Sequence, residues 1–340
     1  MREPNFNNLL KVLRREAPEQ PTLFEFFLNN RLYARLAGPA WTQEPDGLPR
    51  YRMLLAAFRN AGYDYATVPG SSFSFPRGKQ ESKQTISLNE NPIITDRRSF
   101  EAYQWLEPDD FDYSILEEVA PDIPPGMKLV VCGPNGVLEN VIRLVGFDNL
   151  CFMLVDDPRL AQDIFDEVGS RMVRHYQLAA PHDTVGACIS NDDWGFKTQT
   201  MISPEDMRRY VFPWHKKIVE AIHAAGKPAI LHSCGNLDEV MCDIMDVLRY
   251  DGKHSYEDAI CPVEEAYRRW AGRIAILGGI DMDFICRSSP EEIKRRSLAM
   301  LELSATRGSY ALGTGNSVPE YIEDEKYFAM TSAVTGPLPL

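Results

Sequence analysis

The chain has 340 residues, 44% of them apolar and 25% charged, and a formal net charge of −13. This length suits two small domains or one large α/β domain. It has no eighteen-residue apolar run to span a membrane, and an acidic balance without a basic stripe leaves little for a nucleic acid to bind. Seven cysteines, at 132, 151, 188, 234, 242, 261 and 286, form an odd and scattered set, which reads as reduced thiols and not as a disulfide framework. The opening segment "MREPNFNNLLKVLRREAPEQ" lacks the apolar core of a signal peptide, so a cytoplasmic location is expected.

In chain order, short apolar runs predict strands at 63–68, 128–132, 184–190 and 228–234, a weaker one at 248–255, and two more at 273–280 and 309–314. The runs are continuous and do not alternate, so both faces of each strand should be covered. Helices lie between them, and their starts are marked. Asp157 precedes Pro158, Ser203 precedes Pro204 and Asp206 in a helix ending at Gly226, and Ser289 precedes Pro290 and Glu292. Each cap oxygen can accept from free backbone N–H groups, and acids suit the positive helix end. Strands separated by amphipathic helices predict parallel pairing. A (β/α)8 barrel would absorb these strands plus one unassigned; an open doubly wound sheet also fits, but no G-x-G-x-x-G follows the first strand. The polar, turn-rich stretch 69–96 reads as a lid, a substrate loop or a solvated excursion.

Polar residues collect where strands end: "SNDDWG" at 190–195, "HSCGN" at 232–236, "KHSYED" at 253–258, "GGIDMD" at 278–283 and "GTGNSVP" at 313–319. In parallel α/β folds this is the catalytic face. His232 and Cys234 are two residues apart on one strand, so they share a face. Imidazole and thiolate make a partial zinc set. Glu257 is the expected third ligand, with Asp192, Asp193, His254, Asp281 and Asp283 in reserve. The alternative is a core cysteine beside a hydrogen-bonded histidine. Asp192 and Asp193 should face opposite ways, one serving as acid, base or ligand and the other capping a loop. Trp194 and Tyr256 are candidate pocket walls. Gly313 and Gly315 permit close backbone approach, and Asn316 could hydrogen-bond a substrate.

The segments "SPEDMRRYVFPWHKKIVEAIHAAGKP", "ILHSCGN", "LGGIDMD" and "LGTGNSVPEYI" together resemble the uroporphyrinogen decarboxylase superfamily, from about residue 125 to the C-terminus. The resemblance implies a single (β/α)8 barrel over 1–340 with extra N-terminal helical elements over about 1–60. The true decarboxylases of that superfamily carry an arginine-rich "RQAGR" segment and a last strand-end loop of the form G-H-G. Here the first region reads "LFEFFLNNRLYARLAG", with Arg31 and Arg35, and the loop reads Gly313-Thr314-Gly315. The pattern is more similar to the cobalamin-dependent methyltransferases, in which H-x-C holds zinc, although Thr314 stands where their further cysteine ligand would be.

That resemblance implies methyl transfer from a small methylated substrate, such as a methoxylated aromatic, to the Co(I) corrinoid of a partner protein. Zinc on His232, Cys234 and Glu257 would stabilise the leaving oxygen. Asp192 or Asp193 could protonate it instead, if burial raised the carboxyl. Glu257 and Asn316 complete the expected catalytic set, and Trp194, Tyr256, His254, Asp281 and Thr314 the substrate contacts. No D-x-H-x-x-G motif is present, so cobalamin is expected to arrive on another chain. The expected partners are a corrinoid protein and a methyl donor, with room for a homodimer and without nucleic acid or membrane. The rival readings are a metal-free decarboxylase or lyase on the same barrel, and a corrinoid- or tetrapyrrole-binding protein.

Overall fold

The computed structural model describes residues 2–39, 46–77, 88–89 and 91–337. Seven parallel strands form one curled sheet in sequence order: β1 (Tyr65–Pro69), β2 (Lys128–Cys132), β3 (Val185–Asn191), β4 (Ala229–His232), β5 (Gly252–His254), β6 (Ala275–Leu277) and β7 (Tyr310–Ala311). Each falls within or beside a predicted run, including the weak one at 248–255. β3 is buried along its whole length, because helices cover one face of the sheet and the barrel interior the other.

The eighth place comes from an unexpected direction. Leu23 bridges Leu312 in parallel, with Phe24 N donating to Leu312 O at 2.7 Å and Leu312 N to Thr22 O at 2.9 Å. On its other side this segment meets β1 through side chains. The Tyr65 hydroxyl donates to Glu25 O at 2.7 Å, and the Thr22 hydroxyl to Asp64 at 2.6 Å. A piece of the N-terminal region thus fills the gap between β7 and β1 in a (β/α)8 barrel. Helices Asn7–Leu13, Asn30–Ala37 and Leu48–Asn60 flank it along the chain.

The predicted caps are made. Asp157 accepts from Leu160 N, Ser203 from Asp206 N, and Ser289 forms a reciprocal box with Glu292. The helix expected from 203 to 226 is not uniform, for Met207–Val211 forms a wide π turn. Pro213 follows; it lacks an N–H and its ring crowds the preceding turn, so the regular ladder breaks there. In the stretch 69–96, residues 78–87 and 90 lie outside the described residues, while Phe73 and Phe75 are buried. Phe73 packs on Phe111 and Phe75 on Trp105, so that part is not a solvated excursion. Among the described residues no helix is long and apolar enough to cross a membrane.

Register sets which side chains look inward. Asn191 pairs with His232, His232 with His254, and His254 with Leu277, which puts these side chains on one face. The neighbouring layer faces out, since Ser190 meets His215 of the helix Phe212–Ala224 at 3.4 Å.

Candidate active site

The C-terminal ends of β3 and β4 are joined. Gly195 N donates to Cys234 O at 3.1 Å, and Cys234 N to Asp193 Oδ1 at 2.9 Å. Gly235 has φ +86°, and a Cβ there would lie 2.1 Å from the Gly195 carbonyl carbon. Only glycine tolerates both the left-handed backbone and that contact. The glycine of "HSCGN" therefore lets the two strand ends meet, and Asp193 is brought to His232 and Cys234. One ligand atom from each of these three lies within 4.8 Å of the other two, with Cys234 Sγ 3.8 Å from His232 Nε2.

The cysteine sulfur receives two donors, Asn316 Nδ2 at 3.2 Å and the Ser255 hydroxyl at 3.3 Å. Both would stabilise negative charge on sulfur. Without a cation, burial and then the Asp193 charge push the Cys234 thiol well above its ordinary value. His232 is held near 3, chiefly by burial and then by the Lys253 charge, so its ring is neutral. An oxygen, a nitrogen and a sulfur converging on one point, with no fourth such ligand among the described residues, fit a borderline-soft dication with an open position.

The other predicted residues divide. Glu257 is not among the three that converge. β5 ends at His254 and Ser255 takes φ +85°, which turns the chain away and leaves Glu257 on the wall of an outer cavity of about 620 Å³. Asp192 is fully buried and accepts from Leu138 N and Glu139 N, both at 2.9 Å, and from His215 Nε2 at 2.9 Å. Its carboxylate is committed to a helix N-terminus and a histidine, so it is not available for catalysis. Trp194 is fully buried against Phe212 and His215, in the core and not on a pocket wall. Asp281 caps its helix, accepting from Phe284 N at 2.8 Å and Asp258 N at 2.9 Å; Asp283 pairs with Arg287 at 2.9 Å. Tyr256 is buried with its ring 4.4 Å from Lys253 Nζ and touches the same cavity as Glu257 and Asn316. His254 bonds His232 and Thr314 O, and Thr314 turns its hydroxyl to Glu25 and Asn316 O. Neither His254 nor Thr314 faces the cavity.

Several participants went unseen in the sequence. Ser255 looks like any turn serine until its left-handed backbone aims it at sulfur. Lys253 carried a signal, being a lysine inside a strand run. It is buried, donates to Ser255 O at 2.7 Å and Ser233 O at 3.3 Å, and burial lowers its amine to about 8. Glu139 follows the Asp192-capped turn, and burial together with the Asp192 and Asp193 charges raises its carboxyl to about 8. Asn191 lies beside His232 by register, and its amide oxygen has no partner among the described residues. Glu25, an acid inside the apolar run "LFEFF", was also legible as an anomaly.

Comparison with known proteins agrees with this architecture. Residues 113–336 match the sequence profile of the family described as uroporphyrinogen decarboxylase (URO-D). Two curated relatives, the uroporphyrinogen decarboxylases of Anaeromyxobacter sp. (strain Fw109-5) and Anaeromyxobacter dehalogenans (strain 2CP-C), are each 24% identical over 193 and 190 residues. Each match covers 56% of this chain and 51% of the relative, so the chain spans about half the length of those proteins. The structure of a methyltransferase from Methanosarcina mazei superposes with a TM-score of 0.71 at 14% identity, covering 98% of this chain and 99% of that one; this likeness shows the fold. With the strand order, the polar strand ends and the match over residues 113–336 taken together, the chain belongs to the uroporphyrinogen decarboxylase family.

Proposed function

We propose that this protein is a methyltransferase that moves a methyl group from a small methylated donor to the Co(I) corrinoid of a partner protein, with zinc held by Asp193, His232 and Cys234. The observation that carries the reading is the convergence of those three ligand atoms within 4.8 Å. Zinc bound there would act as a Lewis acid toward the heteroatom from which the methyl departs. The chain's own residues do the rest. Ser255 and Asn316 hold the sulfur. Asn316 links the sulfur to the cavity of about 620 Å³, where Tyr256, Glu257 and Tyr321 would meet the donor.

A second reading, metal-free decarboxylation, is favoured by the name of the curated relatives. The cavity argues against a polycarboxylate substrate. Among the described residues its lining includes Glu257, Asp281 and Asp283 and no lysine or arginine, so like charges would repel.

Elemental analysis of purified protein tests the proposal. About one zinc per chain is expected from a site of this kind, lost in His232→Ala, Cys234→Ala and Asp193→Ala and retained in Glu257→Gln. A metal-free wild type would remove the zinc mechanism and put decarboxylation first. Zinc lost only with Glu257 would overturn the ligand set.

A further inference from the structure

Thr314 occupies the place where methyltransferase relatives were expected to offer a cysteine, yet its side chain points away from Cys234. It meets Glu25, a fully buried carboxyl from the N-terminal segment. Thr314 N donates to Glu25 Oε1 at 2.7 Å, and Thr314 Oγ1 lies 2.7 Å from Glu25 Oε2. The same hydroxyl contacts the Asn316 carbonyl. A carbonyl can only accept, and a hydroxyl has one proton to give. The Thr314 proton therefore goes to Asn316 O, and Glu25 must itself donate to Thr314 Oγ1. Glu25 is then a neutral carboxylic acid, consistent with burial raising it to about 8.

From Thr314 a second arm runs to the site. The Thr314 carbonyl lies 3.1 Å from His254 Nε2, so that nitrogen carries the proton. His254 is fully buried and neither of its ring-nitrogen partners is an acid, so a second proton on it would be an unpaired buried charge. Its Nδ1 is therefore an acceptor, and His232 Nδ1, 2.8 Å away, must donate to it. This leaves His232 Nε2 with a bare lone pair on the side of Cys234. The segment that supplies Glu25 also holds both rings. Phe24 packs on His254 with centroids 5.0 Å apart, and Phe26 on His232 at 4.6 Å. Gly313 lets that segment come close, since a Cβ there would fall 1.7 Å from Phe24 O.

We propose that Glu25, acting as a protonated carboxylic acid, is a positioning residue that orients both arms of the site. Through Thr314 and His254 it fixes His232 as the tautomer with a free Nε2, and through Thr314 it seats Asn316 against the Cys234 sulfur. The relay rests on geometry within this chain. Its consequence for metal binding rests on the zinc reading above.

The first test reads the tautomer in metal-free protein, by two-bond 1H–15N spectra of 15N-histidine-labelled chain, with the His232 signals assigned by their loss in His232→Gln. Wild type should show His232 protonated at Nδ1 and bare at Nε2. Glu25→Gln, whose amide also donates and accepts, should keep that pattern, whereas Glu25→Ala should mix the tautomers. Zinc competition supplies the second readout. Glu25→Ala should weaken binding about 10- to 100-fold, the usual effect of losing an outer partner, and Glu25→Gln by no more than about threefold. A wild-type His232 protonated at Nε2, or Glu25→Gln behaving as a carboxylate loss, would overturn the proposal. If Glu25→Ala does not fold, wild type and Glu25→Gln still decide it. A wild type that binds no zinc but shows the expected tautomer would retire the metal reading alone.

Discussion

Asp192 and Asp193 stand side by side and do different work. Alternation at a strand end sends one into the barrel wall and the other to the mouth. Asp192 is tied to two backbone N–H groups, one buried and one half-buried, and to the buried His215, so removing it strands three donors. Asp192→Ala should destabilise the fold by about 3 kcal/mol or more, since each buried donor left unsatisfied costs about 1–3 kcal/mol. Asp193→Ala removes one backbone contact, to Cys234 N, and should affect stability far less while abolishing the proposed metal site. Urea titration of the two variants checks this, and a larger loss for Asp193→Ala would reverse the assignment. Gly136 belongs to the same arrangement, for a Cβ there would lie 2.0 Å from the Asp192 carboxyl carbon.

At the scale of elements, the junction of β3 and β4 makes the site. Two glycines, Gly195 and Gly235, let the backbones touch just past the strand ends. Gly235→Ala combines an unfavourable φ of +86° with a contact of 2.1 Å to Gly195. The backbone conformation alone should cost about 1–3 kcal/mol, and separating the strand ends should carry Asp193 away from Cys234. Gly226→Ala is the control. It has φ +71° at a helix end with nothing within 4 Å, so only the loss of a C-cap glycine, about 1 kcal/mol, is expected. Thermal unfolding beside zinc content separates the two. If Gly235→Ala behaved like Gly226→Ala, the junction would not be what holds the site. The π turn at Met207–Val211 matters at this scale too, because it precedes the helix that delivers His215 to Asp192.

For the molecule as a whole, buried titratable groups set a stability optimum. Burial holds His175 near 4 and His232 near 3, and His254 well below its ordinary value. Unfolding frees all three to take up protons below their ordinary 6.5, so stability falls as pH drops through that range. Glu25 and Glu139 act in the opposite sense. Each keeps its proton to about 8 in the fold and loses it above 4.5 when unfolded, so stability falls as pH rises from 4.5 to 8. Below 6.5 the three histidines outweigh the two carboxyls, and above it the carboxyls act alone. Stability should therefore peak near the ordinary histidine value, with each group contributing a slope of at most about 1.4 kcal/mol per pH unit. Above 8 the decline should flatten, because Lys253 is held near 8 in the fold and returns to 10.5 on unfolding. Denaturation midpoints from pH 5 to 9 would show the peak, and Glu25→Gln should shrink its alkaline side. A steady rise across that range would contradict the picture.

What the sequence determined by itself was short-ranged. Apolar runs placed seven strands, Ser, Asp and Pro placed the helix starts, and the spacing of His232 and Cys234 put both on one face. These follow from periodicity and local capping, which act over a few residues. Only the tertiary structure decided the partners. Asp193 reaches Cys234 across 41 residues, and Glu25 reaches Thr314 across 289. Glu257 seemed the natural ligand as the acid of the next strand, yet one left-handed serine turned it outward. The eighth place in the barrel was hidden because a single bridge at Leu23 leaves no strand-length pattern to read. Which strand end meets which is set by barrel closure and by where glycine lets backbones touch, and neither has a signature within a short window of sequence.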